Sequence, residues 1–413
     1  MPNYSGVWSL PAQYQAYATQ NWPQGPGAPT SVSATAGDTQ ATVTFTAPTF
    51  TGVPPGITGY RVTSSPGNIV VTGASSPITV TGLSNGTAYT FAVDATNGVQ
   101  YGPAGVSGSV TPDITPYGLF AGGRNDAGDT LNVIDYIIIS TTGNATDFGD
   151  LTVGMYEVSG CASTTRGVFG GGYDGAARTN VIQYVTIASA GNSTDFGDLT
   201  DKRGGAGSCN STTRGLFGGG FSQTSSAAVN IIDYITIASV GDATDFGDLI
   251  VSKYNIAGCS SSVTGVFAGG TFPAVNVIQY VTIASTGDAT DFGDLLSSLG
   301  GLAGCSSSTR GVFAGGQGPS PSFTITNVIQ YITIASTGNS TDFGDLTIAG
   351  YLGAGCSSTV RGAFAIGADS GGSMSNVINY ITIASTGNAT DFGDLTTRRY
   401  YLAACSNTNG GVQ

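Results

Sequence analysis

The carboxylates of a repeated hexapeptide are the groups in this sequence that could do chemistry. Thr-Asp-Phe-Gly-Asp-Leu occurs six times, and each copy holds two aspartates three positions apart. Such pairs could bind calcium or serve as the acid and base of a glycosidase. On a strand, positions i and i+3 face opposite sides, so two such carboxylates converge poorly on one ion or bond. Six equivalent copies favour a structural role in turns. The pairs are Asp147 and Asp150, Asp195 and Asp198, Asp245 and Asp248, Asp291 and Asp294, Asp342 and Asp345, and Asp391 and Asp394.

Histidine and cysteine add no further reactive site. The sequence lacks histidine, the commonest general base and metal ligand. Its six cysteines occur once per repeat and never as a C-x-x-C pair, so no zinc cluster is predicted. The repeat should hold these thiols apart as reduced, buried fillers. We therefore predict no catalytic residue, no cofactor and no metal, in a protein that is not an enzyme. The cysteines are Cys161, Cys209, Cys259, Cys305, Cys356 and Cys405.

Composition argues against two classes of partner. The net charge is −13 and only two residues are lysine, so no basic surface is available for nucleic acid. No apolar run approaches the ~20 residues that span a bilayer, so membrane insertion is not expected. The first residues lack a basic stretch followed by an apolar one, which predicts synthesis in a host cytoplasm without a signal peptide. Charged residues at 9% and 65 glycines are typical of short strands joined by tight turns.

The hexapeptide also marks the repeat that must position these side chains. Its phenylalanines lie 46 to 51 residues apart, a spacing typical of repeat architectures. Each unit contains four predicted strands: one ends in glycines, one centres on a tyrosine, one contains the hexapeptide and one contains the cysteine. The tyrosine strand is apolar on both faces, which predicts burial on both faces. The phenylalanines are Phe148, Phe196, Phe246, Phe292, Phe343 and Phe392.

The two ends of the repeat array are incomplete in a complementary way. The array opens on a glycine strand at residues 118–121 and closes on a cysteine strand at residues 402–406. The first unit therefore lacks a cysteine strand, and the chain end can supply one. This predicts six four-stranded blades closed by strand exchange, which would remove exposed strand edges.

Residues 1–25 form a separate N-terminal segment. A helix between Ser9 and Asn21 is predicted from a possible cap and an apolar stripe. A short helix is marginal in water, so its aromatic side needs a surface. That surface could belong to the same chain, or the segment could dock on another protein, because Trp and Tyr are favoured anchors. The candidate docking residues are Trp8, Leu10, Tyr14, Tyr17 and Trp22.

Residues 26–113 differ from the repeats. Short alternating runs are separated by Gly, Pro, Asn and Ser turns at the spacing of a sandwich. Within residues 82–91, Leu83 and Tyr89 match a tyrosine corner. The segment resembles a fibronectin type III domain, although Phe45 stands where that family commonly has tryptophan. The resemblance implies a β-sandwich, and the absence of Arg-Gly-Asp gives no support to integrin-type binding.

Residues 114–413 resemble kelch repeats, because a double glycine and a following tyrosine recur in units of four strands. Phenylalanine replaces the kelch tryptophan, and residues 366–367 are Ile-Gly in the last unit, so the array is divergent. The resemblance implies a six-bladed kelch-like β-propeller, and the chain is expected to be all-β apart from its N-terminal helix. The glycine pairs are Gly122–Gly123, Gly171–Gly172, Gly219–Gly220, Gly269–Gly270 and Gly315–Gly316. The tyrosines are Tyr136, Tyr184, Tyr234, Tyr280, Tyr331 and Tyr380.

Connections within the repeat fall into two groups. The turns from tyrosine to hexapeptide strand and from cysteine to glycine strand are nearly constant, whereas the other two connections vary. Antiparallel order places both variable connections at one end, called here the variable end, and both constant turns at the constant end. Loops on rigid scaffolds carry function, so the variable end is the candidate interaction face; drift without function is the alternative. Its candidate residues are Arg124, Asp126, Tyr156, Tyr173, Lys202, Phe221, Tyr254, Phe272, Phe323, Tyr351, Arg398 and Tyr400.

Two polar positions recur at the constant end. One is asparagine in an N-x-[ST] pattern in four copies and aspartate in two, which predicts turn chemistry rather than glycosylation. The other is arginine in four copies, predicted to bind main-chain carbonyls or aspartates, with Thr264 and Asn409 interrupting the series. The first set is Asn144, Asn192, Asp242, Asp288, Asn339 and Asn388, and the arginines are Arg166, Arg214, Arg310 and Arg361.

The three parts together resemble virion structural proteins of bacteriophages, cyanophages in particular. The resemblance implies a tail or neck fibre, an appendage or a capsid decoration protein, located on the virion and active in host attachment. Its partners would be other virion proteins, further copies of itself on a symmetric particle, and a glycan or protein of the host surface. Two alternatives stay open: a carbohydrate-active propeller enzyme, and a bacterial surface or scaffold module.

Overall fold

A computed structural model of the protein describes Pro11 and residues 23–411. Residues 23–411 contain strands, turns and bends, and no helix. The predicted docking residues Trp8, Leu10, Tyr14, Tyr17 and Trp22 lie outside the described residues, as does the predicted helix apart from Pro11. The chain divides into two compact units, Met1–Thr115 and Pro116–Gln413.

Residues 23–115 of the N-terminal unit contain seven strands in two antiparallel sheets, and the strands are numbered β1 to β7 in chain order. One sheet has the order β1-β2-β5 and the other β4-β3-β6-β7. Alternating burial along β2 places Val43 and Phe45 in a core to which both sheets contribute. The Tyr89 hydroxyl accepts a hydrogen bond from the Ser84 N–H at 3.1 Å, so the predicted tyrosine-corner contact is present. The strands are β1 Thr30–Gly37, β2 Gln40–Thr46, β3 Gly59–Ser65, β4 Val70–Gly73, β5 Ile78–Thr81, β6 Thr90–Thr96 and β7 Gly105–Val106.

Residues 116–411 of the C-terminal unit contain six four-stranded antiparallel sheets, called sheets I to VI in the chain order of their glycine strands. Each sheet has the order cysteine, glycine, tyrosine and phenylalanine strand, the last carrying the hexapeptide. Sheet I takes its cysteine strand from the chain end, because Ala403–Ser406 pairs with Tyr117–Ala121. The predicted exchange of a strand between the two ends of the array is therefore present.

The strands of sheets I to VI follow the repeat closely. The glycine strands are Tyr117–Ala121, Arg166–Gly170, Arg214–Gly218, Thr264–Ala268, Arg310–Ala314 and Arg361–Ala365. The tyrosine strands are Val133–Ile138, Val181–Thr186, Ile231–Thr236, Val275–Thr282, Val328–Thr333 and Val377–Thr382. The phenylalanine strands are Thr146–Asp150, Thr194–Asp198, Thr244–Asp248, Thr290–Leu299, Thr341–Asp345 and Thr390–Asp394. The cysteine strands are Ala403–Ser406, Ser159–Ala162, Gly207–Asn210, Ala257–Ser260, Ala303–Ser306 and Ala354–Ser357. Two-residue strands that the sequence did not predict lie at Arg203–Gly204, Phe221–Ser222, Ala227–Ala228, Gly350–Tyr351 and Ala368–Asp369.

Apolar side chains join each sheet to the next. Six buried clusters each combine residues of two neighbouring sheets, and one of them joins sheet VI to sheet I. The cysteines are free and buried, as predicted, and burial raises the pKa of every thiol. Each lies against a glycine of a neighbouring sheet: a Cβ placed on Gly167 would lie 3.1 Å from Cys405 Sγ. Small residues on both sides therefore allow the sheets to approach closely.

Hydrogen bonds also join the sheets at the constant end. The N–H groups of Gly191 and Ser193 in sheet II donate to the carbonyls of Phe148 and Asp150 in sheet I, at 2.7 and 2.8 Å. Between these bonds, Asn192 Oδ1 accepts the N–H of Asp150 at 3.0 Å. The same three bonds recur at all six junctions and return from sheet VI to sheet I. The turn of each sheet thus occupies the outer edge of its neighbour's phenylalanine strand, where unpaired groups would otherwise remain.

These bonds explain why asparagine and aspartate interchange in the turn. Both side chains offer an Oδ1 acceptor, and Asp242 accepts the Asp198 N–H at 3.0 Å just as Asn192 accepts that of Asp150. The prediction that the hexapeptide carboxylates hold turns is wrong. Among the described residues none of these twelve carboxylates accepts a hydrogen bond; the main-chain N–H of the second aspartate makes the contact instead.

The constant-end arginines bind main-chain carbonyls of the next sheet, which is one of the two roles predicted. Arg166 Nη1 donates to Ile237 O at 2.9 Å, and its guanidinium lies over the ring of Tyr184. In sheet I the equivalent position is Tyr117 rather than Asn409, so the predicted interruption at Asn409 is wrong. The cysteine strand before Asn409 pairs back onto sheet I, whose glycine strand begins at Tyr117. The same interactions occur at Arg214, Arg310 and Arg361.

Two of the junctions between sheets hold a fully buried ion pair. Arg203 lies in the connection after sheet II, and its Nη2 is 3.0 Å from Oδ2 of Asp233 in sheet III. Both side chains are 0% exposed. Arg399 and Asp135 make the same pair between sheets VI and I. The equivalent positions between sheets I and II hold Met155 and Gln183, which are also buried.

Gly149 of the hexapeptide should be irreplaceable, whereas Gly191 opposite it should not. Gly149 has φ +146°, and an added Cβ would meet the main chain of Gly191. Gly149→Ala should lower the free energy of unfolding of the C-terminal unit by about 1–3 kcal/mol. A Cβ on Gly191 would meet nothing within 4 Å, so Gly191→Ala is the matched control and should change stability by less than about 0.5 kcal/mol. Equal effects of the two substitutions in urea unfolding would contradict this account of the turn contact.

Removing one partner of the Arg203–Asp233 pair should lower the free energy of unfolding far more than replacing both partners with neutral residues. Arg203→Met leaves a buried, unpaired carboxylate and should destabilise the protein by about 3–5 kcal/mol. Adding Asp233→Gln recreates the Met155 and Gln183 combination found one junction away and should restore most of that loss. Urea unfolding of both single variants and the double variant measures the coupling. If the two single losses in free energy of unfolding simply added in the double variant, the unpaired charge would not be the cause of the destabilisation.

Candidate functional site

The two variable connections meet at every junction between sheets. The N–H of Tyr156 donates to the Tyr173 carbonyl at 3.1 Å, and the N–H of Tyr173 donates back to Tyr156 at 2.7 Å. Equivalent main-chain pairing occurs at each of the other five junctions, through isolated bridges or two-residue strands. Both variable connections therefore lie at the same end, as antiparallel order predicts.

Seven aromatic side chains on these connections form one array, called here the aromatic arc. Neighbouring ring centroids in its two groups are 4.7 to 5.7 Å apart. Arg178 joins the two groups, because its guanidinium carbon lies 5.7 Å from the Tyr173 ring centre and 4.4 Å from that of Phe221. The arc residues, in spatial order, are Tyr400, Tyr401, Tyr156, Tyr173, Phe221, Tyr254 and Phe272.

Half of the residues predicted for the interaction face belong to this arc. They are Tyr156, Tyr173, Phe221, Tyr254, Phe272 and Tyr400. Two more lie beside it: the Arg124 guanidinium is 5.5 Å from the Tyr156 ring centre, and burial together with nearby Tyr400 raises the pKa of Tyr351.

The other four predicted residues lie apart from the arc. Asp126 is exposed, and its carboxylate accepts the N–H of Met374 at 3.4 Å. Lys202, Phe323 and Arg398 are exposed and make no ring contact with any described residue.

A ring of main-chain hydrogen bonds at the variable end supports the arc. Six residues, one from each connection that follows a hexapeptide, each donate an N–H to the carbonyl of the counterpart in the preceding connection, at 2.7 to 3.0 Å. All six have left-handed backbone, with φ between +55° and +69°. Only Gly and Asn among these residue types favour that conformation, so sequence reasoning had no common signal for the position. This mouth ring consists of Glu157, Gly205, Asn255, Gly301, Leu352 and Tyr401.

Glu157, the single glutamate of the sequence, lies at the centre of the arc and was missed by sequence reasoning. Its Oε2 is 2.9 Å from Nη2 of Arg178, and both side chains are largely buried. Burial raises the pKa of Glu157, and the Arg178 guanidinium opposes that rise. Burial raises the pKa of Tyr401 as well, and the adjacent Glu157 and Tyr400 add to the effect. The centre of the arc is thus a neutralised ion pair between aromatic rings.

The cavities between the inner strands are too small for a large ligand. A cavity of about 120 Å³ is lined by the cysteine strands, where Ser306 Oγ donates to the Ser260 carbonyl at 2.7 Å. A second cavity of about 70 Å³ opens at the mouth ring beside Glu157 and Asn255. Pockets for drug-sized ligands usually measure roughly 300–1,000 Å³. Neither of these two cavities can therefore hold a ligand larger than a few water molecules.

The described residues contain neither a metal-binding cluster nor a helix able to span a membrane. Within residues 23–411, no group of three or more Cys, Asp or Glu side chains is placed to hold a metal ion. That part of the chain has no helix of the length and apolarity that crossing a bilayer requires.

Comparison with known proteins places the N-terminal unit in a family. Residues 27–110 match the fibronectin type III domain, so this sandwich is such a domain, as its sequence resemblance predicts. A comparison with curated proteins finds no match to the chain. A fibronectin type III domain, together with the all-β structure of residues 23–411, supports a protein-interaction module.

The effect of removing the Glu157 carboxylate on the melting temperature should depend on pH. Because the pKa of Glu157 is raised in the folded state, the group favours folding at low pH and this contribution is lost as pH rises through the folded pKa. Glu157→Gln cannot ionise, so the melting temperature of the variant minus that of the wild type should be larger at pH 7 than at pH 4.

Asp174→Asn is the control, because its melting-temperature difference should change with pH in the opposite direction. Asp174 accepts N–H bonds from Ala176 and Ala177, which lower its pKa, so its contribution is present at neutral pH and lost on acidification. Its melting-temperature difference should therefore be more negative at pH 7 than at pH 4. The same pH trend in both variants would contradict the assignment.

Proposed function

We propose that residues 114–413 form a closed six-bladed β-propeller of the kelch type. Six equivalent four-stranded sheets, the strand exchange between residues 117–121 and 403–406, and the apolar cluster joining sheets VI and I support closure. The hydrogen bond from the Asp394 N–H to Asn144 Oδ1 supports it further, because it spans almost the whole array. In a closed ring every phenylalanine strand has a partner for its outer edge.

The same proposal makes the chain a non-enzymatic structural protein of a bacteriophage virion. It would be a tail or neck fibre, an appendage or a capsid decoration protein, present in many copies on a symmetric particle. The N-terminal segment would dock on other virion proteins, and the propeller would present its variable end to the host surface or to neighbouring subunits. The virion setting is supported by the resemblance of the three-part architecture.

The aromatic arc is the observation that carries the binding role. The repeat does not need these rings, because Gly300 and Gln317 occupy the equivalent junction between sheets IV and V without any ring. Phe272 is 75% exposed although burial would be favourable. The other six rings of the arc are half-buried and keep part of their surface open, and grouped aromatic side chains with accessible surface are typical of an interaction site.

The buried carboxylates favour binding over an enzymatic role. Glu157 is held by Arg178, Asp135 by Arg399 and Asp233 by Arg203. Hydrolysis of a glycosidic bond needs two carboxyl groups across one cleft, at least one of them able to exchange a proton. Carboxylates neutralised by fixed arginines suit a rigid scaffold better than proton transfer.

Two measurements on phage particles test the proposal. Purified full-length protein should compete with the particles that carry it for adsorption to host cells. A chain lacking residues 1–25 should compete equally well but should be missing from purified particles, as judged by mass spectrometry. Unchanged adsorption at saturating protein would contradict host binding, and full incorporation of the shortened chain would contradict N-terminal docking.

A further inference from the structure

We infer that the aromatic arc is an extended binding surface for a chain of uncharged sugars. The ligand would lie across four successive junctions, from sheets VI and I to sheets III and IV. This inference rests on the proposed role of the variable end as the face that meets the host, and it names the chemistry that face would recognise.

The shape of the arc suits a chain rather than a compact ligand. Its rings follow one another at centroid steps of 4.7 to 5.7 Å within each group, and Arg178 fills the gap between the groups. The nearby cavity of about 70 Å³ cannot hold even one sugar ring with its hydroxyls. An elongated ligand on the surface can contact several rings in turn, whereas a small ligand would find no enclosure.

The side chains of the arc match the two faces of a sugar. A sugar ring presents C–H groups on one side, which pack on an aromatic ring, and hydroxyls at its rim that both donate and accept hydrogen bonds. Five of the seven arc residues are tyrosines, which combine an apolar ring with a hydroxyl of that same double capacity. Between them the Arg178 guanidinium, held by Glu157 through Nε and Nη2, keeps Nη1 as a donor for a ligand hydroxyl.

The charges of the arc are balanced locally, which favours an uncharged ligand. Arg178 is neutralised by Glu157 at 2.9 Å. Lys253 lies beneath Phe272, where its Nζ donates to the Phe272 carbonyl at 3.4 Å, and burial lowers its pKa. The exposed Asp126 and Asp174 and the half-buried Asp201 offset the remaining cationic side chains of this end. A polyanion would therefore meet no excess of positive charge.

Two exposed phenylalanines provide a matched pair of variants. Phe272 is 75% exposed and stacks on Tyr254 within the arc, whereas Phe323 is 52% exposed at the same end and lies outside the arc. Both have left-handed backbone, so alanine introduces the same backbone demand at each site. Phe272→Ala and Phe323→Ala should therefore have similar and small effects on the melting temperature.

The probe is surface polysaccharide extracted from host cells and separated by anion exchange into neutral and acidic fractions. The full-length protein should bind the neutral fraction, and periodate oxidation of the sugars should abolish that binding. Phe272→Ala should weaken it about fivefold or more, the effect expected for an interface anchor, and Phe323→Ala should not. Binding of the acidic fraction alone, binding of neither fraction, or equal loss in both variants would overturn the inference.

The adsorption assay separates this inference from the proposed function. If the protein still competes with particles on periodate-treated cells, the sugar assignment fails while the attachment role stands. If the protein binds the neutral fraction yet never competes with particles, the sugar site stands and the attachment role fails.

Discussion

A strand at the edge of a sheet has main-chain groups without partners, and the repeat unit would leave six such edges open. The turn that precedes each hexapeptide satisfies the edge of the sheet before it, through two carbonyls and one N–H. The hexapeptide glycine is required for this contact, because the neighbouring turn occupies the space where a Cβ would stand. One recurring contact thus fixes the constant end, the spacing of the sheets and the choice of glycine.

This arrangement also explains why the sequence varies between copies at one end of the sheets and not at the other. At the constant end, every turn bonds the sheet before it, so each copy keeps the turn residues, and four of the six copies add an arginine that bonds the next sheet. At the inner side, Gly, Ser and Cys are needed because neighbouring strands approach closely. At the variable end, the main-chain pairing between connections recurs at every junction, whereas the side chains differ from copy to copy. The aromatic arc occupies the part of the molecule where the architecture imposes least.

Features that recur within the sequence were predictable from it. The period of the hexapeptide gave the six sheets, the incomplete end units gave the pairing of the last strand with the first sheet, and Leu83 with Tyr89 gave the tyrosine corner. The variable residues Tyr156, Tyr173 and Phe221 were grouped correctly by position alone.

Features that depend on unlike residues meeting across junctions were not predictable. Glu157 and Arg178 belong to different connections, and nothing in their local sequence links them. Arg203 meets Asp233 where the neighbouring junctions hold Met155 with Gln183 and Lys253 with Gln279, so the pair looks like ordinary variation until the sheets are assembled. The repetition of the hexapeptide aspartates suggested a role for their carboxylates, and that prediction was wrong. The recurring contact is made by the main-chain N–H of the second aspartate, and the carboxylates make no hydrogen bond among the described residues.

Native-state hydrogen exchange tests the proposed closed ring most directly. Six equivalent amides, at Asp150, Asp198, Asp248, Asp294, Asp345 and Asp394, donate to the turn of the following sheet. Five of these bonds join consecutive sheets, whereas that of Asp394 returns to Asn144 in sheet I. If the ring is closed, the amide of Asp394 should be protected to the same degree as the other five. If the amide of Asp394 alone exchanged at the rate of an exposed amide, the array would be open and the account would be contradicted.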